Sequence, residues 1–95
     1  MATLMKLDGT TQEIKPADPK RGFTLEELYA LIGCEMVELV YLDDDRLMLL
    51  DEEGKLQDGW QGRVNRPATD LFLKGRAGFD VIVGNVVVCN GAEFK

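Results

Sequence analysis

The sequence predicts an α+β domain: a mainly antiparallel sheet of about five strands, with two short helices packed on one face. Three observations carry this. Asp8-Gly9 lies between two short alternating segments, a hairpin signal. Thr24-Leu25-Glu26-Glu27 has the spacing of a helix capping box. The segment Val86-Val87-Val88-Cys89 is β-branched and apolar, as a buried strand requires.

Taken in order, Thr3 to Leu7 and Thr11 to Lys15 form the first hairpin around Asp8-Gly9-Thr10. Pro16-Ala17-Asp18-Pro19-Lys20-Arg21-Gly22, with two prolines and a glycine, reads as a loop. A helix of about eight residues starts after Thr24, with Leu25, Leu28, Tyr29, Leu31 and Ile32 at helical spacing and Gly33 as its left-handed stop. Glu35 to Leu42 has strand composition, Asp43-Asp44-Asp45 turns the chain, and Arg46 to Leu50 returns as a second hairpin. Pro67 suits the first turn of a helix running to Leu73, ended by Gly75 and Gly78. Phe79 to Val83 and Val86 to Cys89 hinge at Gly84-Asn85 and read either as one bent strand or as a final hairpin.

Composition narrows the function. At 95 residues the chain is one domain, 1–95, with a single small core. Hydrophobic residues make up 45%, as in a globular protein. Eleven basic against 17 acidic side chains leave a net charge of −6, which disfavours nucleic acid as a partner. An acidic chain suits a basic partner surface instead. With no histidine, the commonest general base and metal ligand is missing. Serine is absent as well, so no serine nucleophile exists. Cys34 and Cys89 stand apart, without a Cys-x-x-Cys pair, and read as reduced thiols in the cytoplasm. No apolar run approaches the ~20 residues that cross a bilayer, and no signal peptide is evident, so no membrane partner is expected.

Two clusters could carry chemistry. The carboxylates Asp43, Asp44, Asp45, Asp51, Glu52 and Glu53 lack the spacing of a calcium loop and read as solvated turns, so no metal site and no cofactor are expected. Trp60-Gln61-Gly62-Arg63-Val64-Asn65-Arg66-Pro67-Ala68-Thr69 gathers the lone tryptophan and two arginines at a helix start. One reading makes Trp60, Arg63, Asn65, Arg66 and Thr69 a ligand site: the arginines and the helix terminus attract an anion, and the indole stacks on a base or plugs a partner's pocket. The other makes the loop structural, with Trp60 closing the core edge, the arginines pairing with carboxylates and Asn65 capping the helix.

Four segments together resemble a known family: Phe23-Thr24-Leu25-Glu26-Glu27-Leu28 leading to Ile32-Gly33-Cys34; Leu49 to Lys55; Asn65-Arg66-Pro67-Ala68-Thr69; and Ile82 to Val88. The resemblance is to small domains of unknown function found in bacteria, their phages and other mobile elements, and runs from about Leu4 to Cys89. Its most specific part is Asp-Glu-x-Gly-Lys followed by Asn-x-x-Ala-Thr. The link before the asparagine, Trp60 to Val64, departs from the family's usual short apolar one. The family supplies no activity. What the resemblance implies is a mobile-element setting, where small acidic proteins bind host proteins or soak up signalling molecules. The sequence thus points to a non-enzymatic module that binds and modulates a host protein. The alternative is a binder of a small anion, such as a nucleotide, at the Trp60–Thr69 loop. The oligomeric state is not readable.

Overall fold

A computed structural model describes residues 2–42, 45–56, 58–74 and 81–90. Seven regular elements appear in chain order: β1 (Ala2–Met5), β2 (Thr11–Ile14), α1 (Leu25–Ile32), β3 (Val37–Tyr41), β4 (Arg46–Asp51), α2 (Arg66–Leu73) and β5 (Val86–Asn90). Two 3-10 turns, Gly54–Leu56 and Trp60–Arg63, fill the link between β4 and α2. The strands form one antiparallel sheet in the order β2-β1-β5-β4-β3. No helix among the described residues is long and apolar enough to cross a membrane.

The first hairpin closes around Leu7-Asp8-Gly9. The Lys6 N–H donates to the Thr10 carbonyl at 2.8 Å, and the Gly9 N–H donates to the Lys6 carbonyl at 3.0 Å. Gly9 has φ 92°, so the connection is a turn followed by a left-handed residue rather than a two-residue turn on Asp8-Gly9. The Asp8 carboxylate accepts from both the Thr10 N–H and hydroxyl, which holds its pKa below the ordinary value. These bonds explain why β1 ends at Met5, before the expected Leu7.

Helix α1 matches its expected start and stop. Thr24 Oγ1 accepts from the Glu27 N–H at 3.2 Å, and Glu27 Oε1 accepts from the Thr24 N–H at 3.0 Å. Glu27 Oε2 accepts in addition from the Ala17 N–H at 3.0 Å, tying the proline loop to the helix. Phe23 and Leu28 flank the cap and are buried in the same cluster, the arrangement of a hydrophobic staple. At the far end Gly33 is left-handed, and its N–H donates to the Tyr29 carbonyl.

The helices do not share a face of the sheet. Leu28 and Ile32 of α1 pack with Leu47 and Leu49 of β4 and Val87 and Cys89 of β5. Ala68, Leu71 and Phe72 of α2 pack with Met48 and Leu50, and with Val86 and Val88, which point the other way. Side chains alternate along a strand, so these are opposite faces. The reason is legible in β4 and β5. Leu47-Met48-Leu49-Leu50 and Val86-Val87-Val88-Cys89 are apolar at every position and buried throughout, so both faces need cover. The same property places β5 centrally, while the polar β2 and the half-exposed β3 take the edges.

The segment before β5 also departs from expectation. Phe79 and Asp80 lie outside the described residues, as do Asp43, Asp44, Gly75 and Gly78. Ile82–Gly84 is neither a bent extension of β5 nor a hairpin partner to it. It pairs with the chain ahead of α2: the Asn65 N–H donates to the Ile82 carbonyl at 2.7 Å, the Gly84 N–H donates to the Arg63 carbonyl at 2.8 Å, and Val64 bridges Val83 between them.

Two outcomes follow for α1. Thr24→Ala is expected to destabilise the domain by about 1 kcal/mol in chemical denaturation, through the lost cap. The backbone N–H groups of Thr24 and then Ala17 hold the Glu27 carboxylate below its ordinary 4.5. A lowered folded pKa means stability that is present above the ordinary value and lost as pH falls through the folded one. Glu27→Gln should therefore flatten the acid limb of a stability–pH profile; an unaltered limb would contradict the capping role.

Candidate functional site

The loop that the sequence singles out is anchored by Asn65, which is fully buried. Its side-chain amide donates twice, to the Gly84 carbonyl at 2.8 Å and the Met5 carbonyl at 3.0 Å. Its Oδ1 accepts from the Ala68 N–H at 3.2 Å, capping α2. Its carbonyl accepts from both the N–H and the hydroxyl of Thr69, at 2.9 and 2.7 Å. Thr69 Oγ1 in turn accepts from the Ile82 N–H at 2.9 Å. Asn65 and Thr69 therefore hold the end of β1, the bend before β5 and the first turn of α2 in one network. The amide orientation is fixed, because two carbonyls face Nδ2 and an N–H faces Oδ1.

This network changes the anion argument. A helix N-terminus attracts anions through its unsatisfied N–H groups. In α2, Pro67 has no N–H and the Ala68 N–H is taken by Asn65. Asn65 and Pro67 thus reduce what the helix end can offer an anion, and charge recognition falls mainly to side chains.

Those side chains border an open groove of about 500 Å3, lined by Lys55, Trp60, Val64, Arg66, Thr69, Asp70, Leu73 and Val81. Of the five residues expected at a ligand site, Trp60, Arg66 and Thr69 meet here. Asn65 supports the groove from below without lining it. Arg63 lies apart: its guanidinium packs over Gly84, with Nη2 3.5 Å from the position that a Cβ there would take. Lys55, Asp70 and Val81 were not legible as site residues. Lys55 is about ten residues upstream of the arginines and Val81 lies beyond α2, so only the fold unites them. The groove combines apolar residues (Trp60, Val64, Leu73, Val81) with two basic residues and one carboxylate.

A second cavity adjoins it, sharing Lys55 and Val81, and is lined also by Glu38, Asp51, Glu52 and Phe72. At about 130 Å3 it is below the size of ordinary ligand sites. A cleft on the opposite side holds Cys34 beside Glu35, Asp51 and Glu53. Burial first, and then the Asp51 carboxylate, push the Cys34 thiol up, so it stays protonated at neutral pH. Both cysteines are free thiols. Among the described residues no three His, Cys, Asp or Glu side chains are grouped as a metal ion would need.

Removing the Asn65 side chain strands buried partners at Met5, Gly84 and Ala68, so Asn65→Ala should cost about 3 kcal/mol or more by denaturant melt. Asn65→Asp retains the cap but sets a carboxylate against two carbonyl oxygens, which raises its pKa. A raised folded pKa gives stability that is present at low pH and lost as pH rises through the folded value. Asn65→Asp should therefore be relatively closer to the wild type near pH 4 than at pH 7; the opposite trend would contradict this network.

No solved structure matches the chain. An uncharacterized protein, y4iR of Sinorhizobium fredii, is 34% identical over 53 residues, which cover 56% of this chain and 32% of that protein. The chain thus spans about a third of that relative's length. The family model described as "Domain of unknown function (DUF3846)" matches residues 2–95. With the match running through both helices, all five strands and the Asn65 loop, the chain belongs to the DUF3846 family of domains of unknown function.

Proposed function

We propose that this domain is a non-enzymatic binding module and that the groove beside α2 takes a small amphipathic anion: a planar ring carrying a phosphate or carboxylate. The observation that carries this is the pairing of Trp60 with Lys55 and Arg66 around about 500 Å3 of mostly apolar space. That volume suits a small-molecule ligand. The indole offers a stacking face, Arg66 and Lys55 offer charge-assisted donors, and Asp70 accepts from an amine or hydroxyl. Thr69 contributes its methyl group, since its hydroxyl is engaged with Asn65 and Ile82. A nucleotide meets every one of these features.

Two free cysteines favour a reducing, cytoplasmic setting for this activity. The phage or mobile-element context rests on the family resemblance, and there a ligand-soaking module would modulate its host by lowering a free signal. The competing reading, a module that grips a host protein through Trp60, asks the same indole to act as an anchor. The mostly apolar groove beside Trp60, with Arg66 on its lining, favours the small ligand.

A panel of nucleotides and sugar phosphates decides the matter. The matching ligand should raise the melting temperature by mass action and quench Trp60, the sole tryptophan. Arg66→Gln should weaken binding by about tenfold or more, the worth of one charge-assisted hydrogen bond. Arg63→Gln should leave affinity unchanged, because Arg63 packs over Gly84 outside the groove. A panel without any response, or equal losses from both arginine variants, would overturn the assignment.

A further inference from the structure

The two edges of the sheet are built differently. On β2, Thr11, Gln12 and Glu13 are exposed and polar, and Pro16 follows closely, as protected edges require. On β3 the sequence is Val37-Glu38-Leu39-Val40-Tyr41, with no lysine, proline or bulge. Exposed apolar side chains bracket it, Met36 at 49% and Tyr41 at 68%. Such an edge is a template for another strand.

The hydrogen-bond pattern tells which backbone groups the edge presents. The Glu52 N–H donates to the Met36 carbonyl, and the Leu42 N–H donates to the Arg46 carbonyl. In an antiparallel ladder bonded pairs alternate with non-bonded ones. Even-numbered residues of β3 therefore bond inward to β4, and the backbone groups of Val37 and Leu39 face outward. An added strand must bond at these odd positions.

We propose that this edge pairs with β3 of a second copy, in an antiparallel register centred on Leu39, joining two five-stranded sheets into one. The strand is self-complementary in that register. Leu39 meets Leu39, Val37 meets Tyr41, and Glu38 meets Val40, so no like charges stand opposite. Val37 with Tyr41 is a favourable aromatic–β-branched pair, and the two-fold makes it twice. Centring the axis on Glu38 instead would set Glu38 against Glu38 and shorten the ladder. The Leu39-centred register is the one that uses all of Val37–Tyr41 against itself. Its two-fold axis is perpendicular to the sheet, so both copies of α1 lie on one side and both grooves on the other.

Net charge opposes the pairing, since each chain carries −6. Association should therefore be weak at low ionic strength and tighten as salt screens the repulsion. Sedimentation across concentration and salt, with residue-level amide exchange, tests this on the whole chain. The expected result is a reversible dimer in which the Leu39 and Val37 amides slow with concentration, while Glu38 and Val40, bonded to β4, do not change. Tyr41→Lys, at an exposed position, should weaken the dimer by about tenfold, because each substitution counts twice across the axis. It makes the chain less negative, so repulsion alone would give the reverse. Glu13→Gln on the β2 edge removes the same single unit of negative charge and should not weaken the dimer. A chain that stays monomeric at every concentration and salt would overturn the proposal. So would a dimer whose Leu39 exchange and affinity ignore Tyr41→Lys.

Discussion

Asn65 is the constraint on which the rest of this small domain hangs. It joins three segments that are distant in sequence: β1 through Met5, the approach to β5 through Gly84, and α2 through Ala68. A side-chain amide suits the task because it alone presents two donors and an acceptor in one plane. Aspartate lacks the donors, and leucine, of similar volume, lacks all three groups. In a buried place each lost bond leaves a backbone group without water or partner, which is why one residue can decide whether three elements meet. Asn85 assists from the neighbouring bend, where its Oδ1 accepts from the Leu7 N–H at 2.7 Å.

That junction also explains how a chain of 95 residues can cover both faces of a sheet. A chain of this length buries a limited fraction of its surface. Here the two central strands contribute to two cores at once, Leu47, Leu49, Val87 and Cys89 on one side and Met48, Leu50, Val86 and Val88 on the other. Helix α1 is fixed over its core by caps at both ends and by the Phe23–Leu28 staple. Helix α2 has a polar start, and Asn65 and Thr69 lock that end onto the sheet by hydrogen bonds where α1 uses packing.

What the sequence made legible was local. The capping box at Thr24, the stop at Gly33, the turn near Asp8-Gly9 and the cap at Asn65 each depend on residues within four positions of one another, and such geometry is written directly in spacing. The placement of the helices was not read correctly, although the unbroken apolar runs of β4 and β5 held the signal. Continuous burial demands cover on both faces, whereas the order of elements alone suggested one. Of the groove's lining, Trp60 and Arg66 are legible in the sequence because they stand beside a helix start. Arg63 looked equivalent in sequence. The 3-10 turn Trp60–Arg63 and the short ladder from Arg63 to Asn65 turn it toward Gly84 instead. Lys55 and Val81 carried no local mark, because they join the groove only once Ile82–Gly84 pairs with the chain before α2.

The same pairing makes the groove and the stability of the fold parts of one structure. Trp60 and Val64 reach the groove from the segment that leads into Asn65, Arg66, Thr69 and Asp70 reach it from the first two turns of α2, and Val81 reaches it from the stretch ahead of β5 that Asn65 grips. The walls are therefore set by the fold itself, and for the proposed ligand little ordering would be left to oppose binding. The internal network uses the hydroxyl of Thr69 and the amide of Asn65, so these cannot recognise a ligand directly. On the proposed reading, recognition falls to the indole face of Trp60 and to the Arg66 guanidinium and Asp70 carboxylate, four residues apart on α2. Against a background charge of −6, a locally cationic rim draws an anion only at short range. If the groove binds as proposed, selection comes from contact within it, which favours a ligand with a ring for Trp60 over a bare inorganic ion.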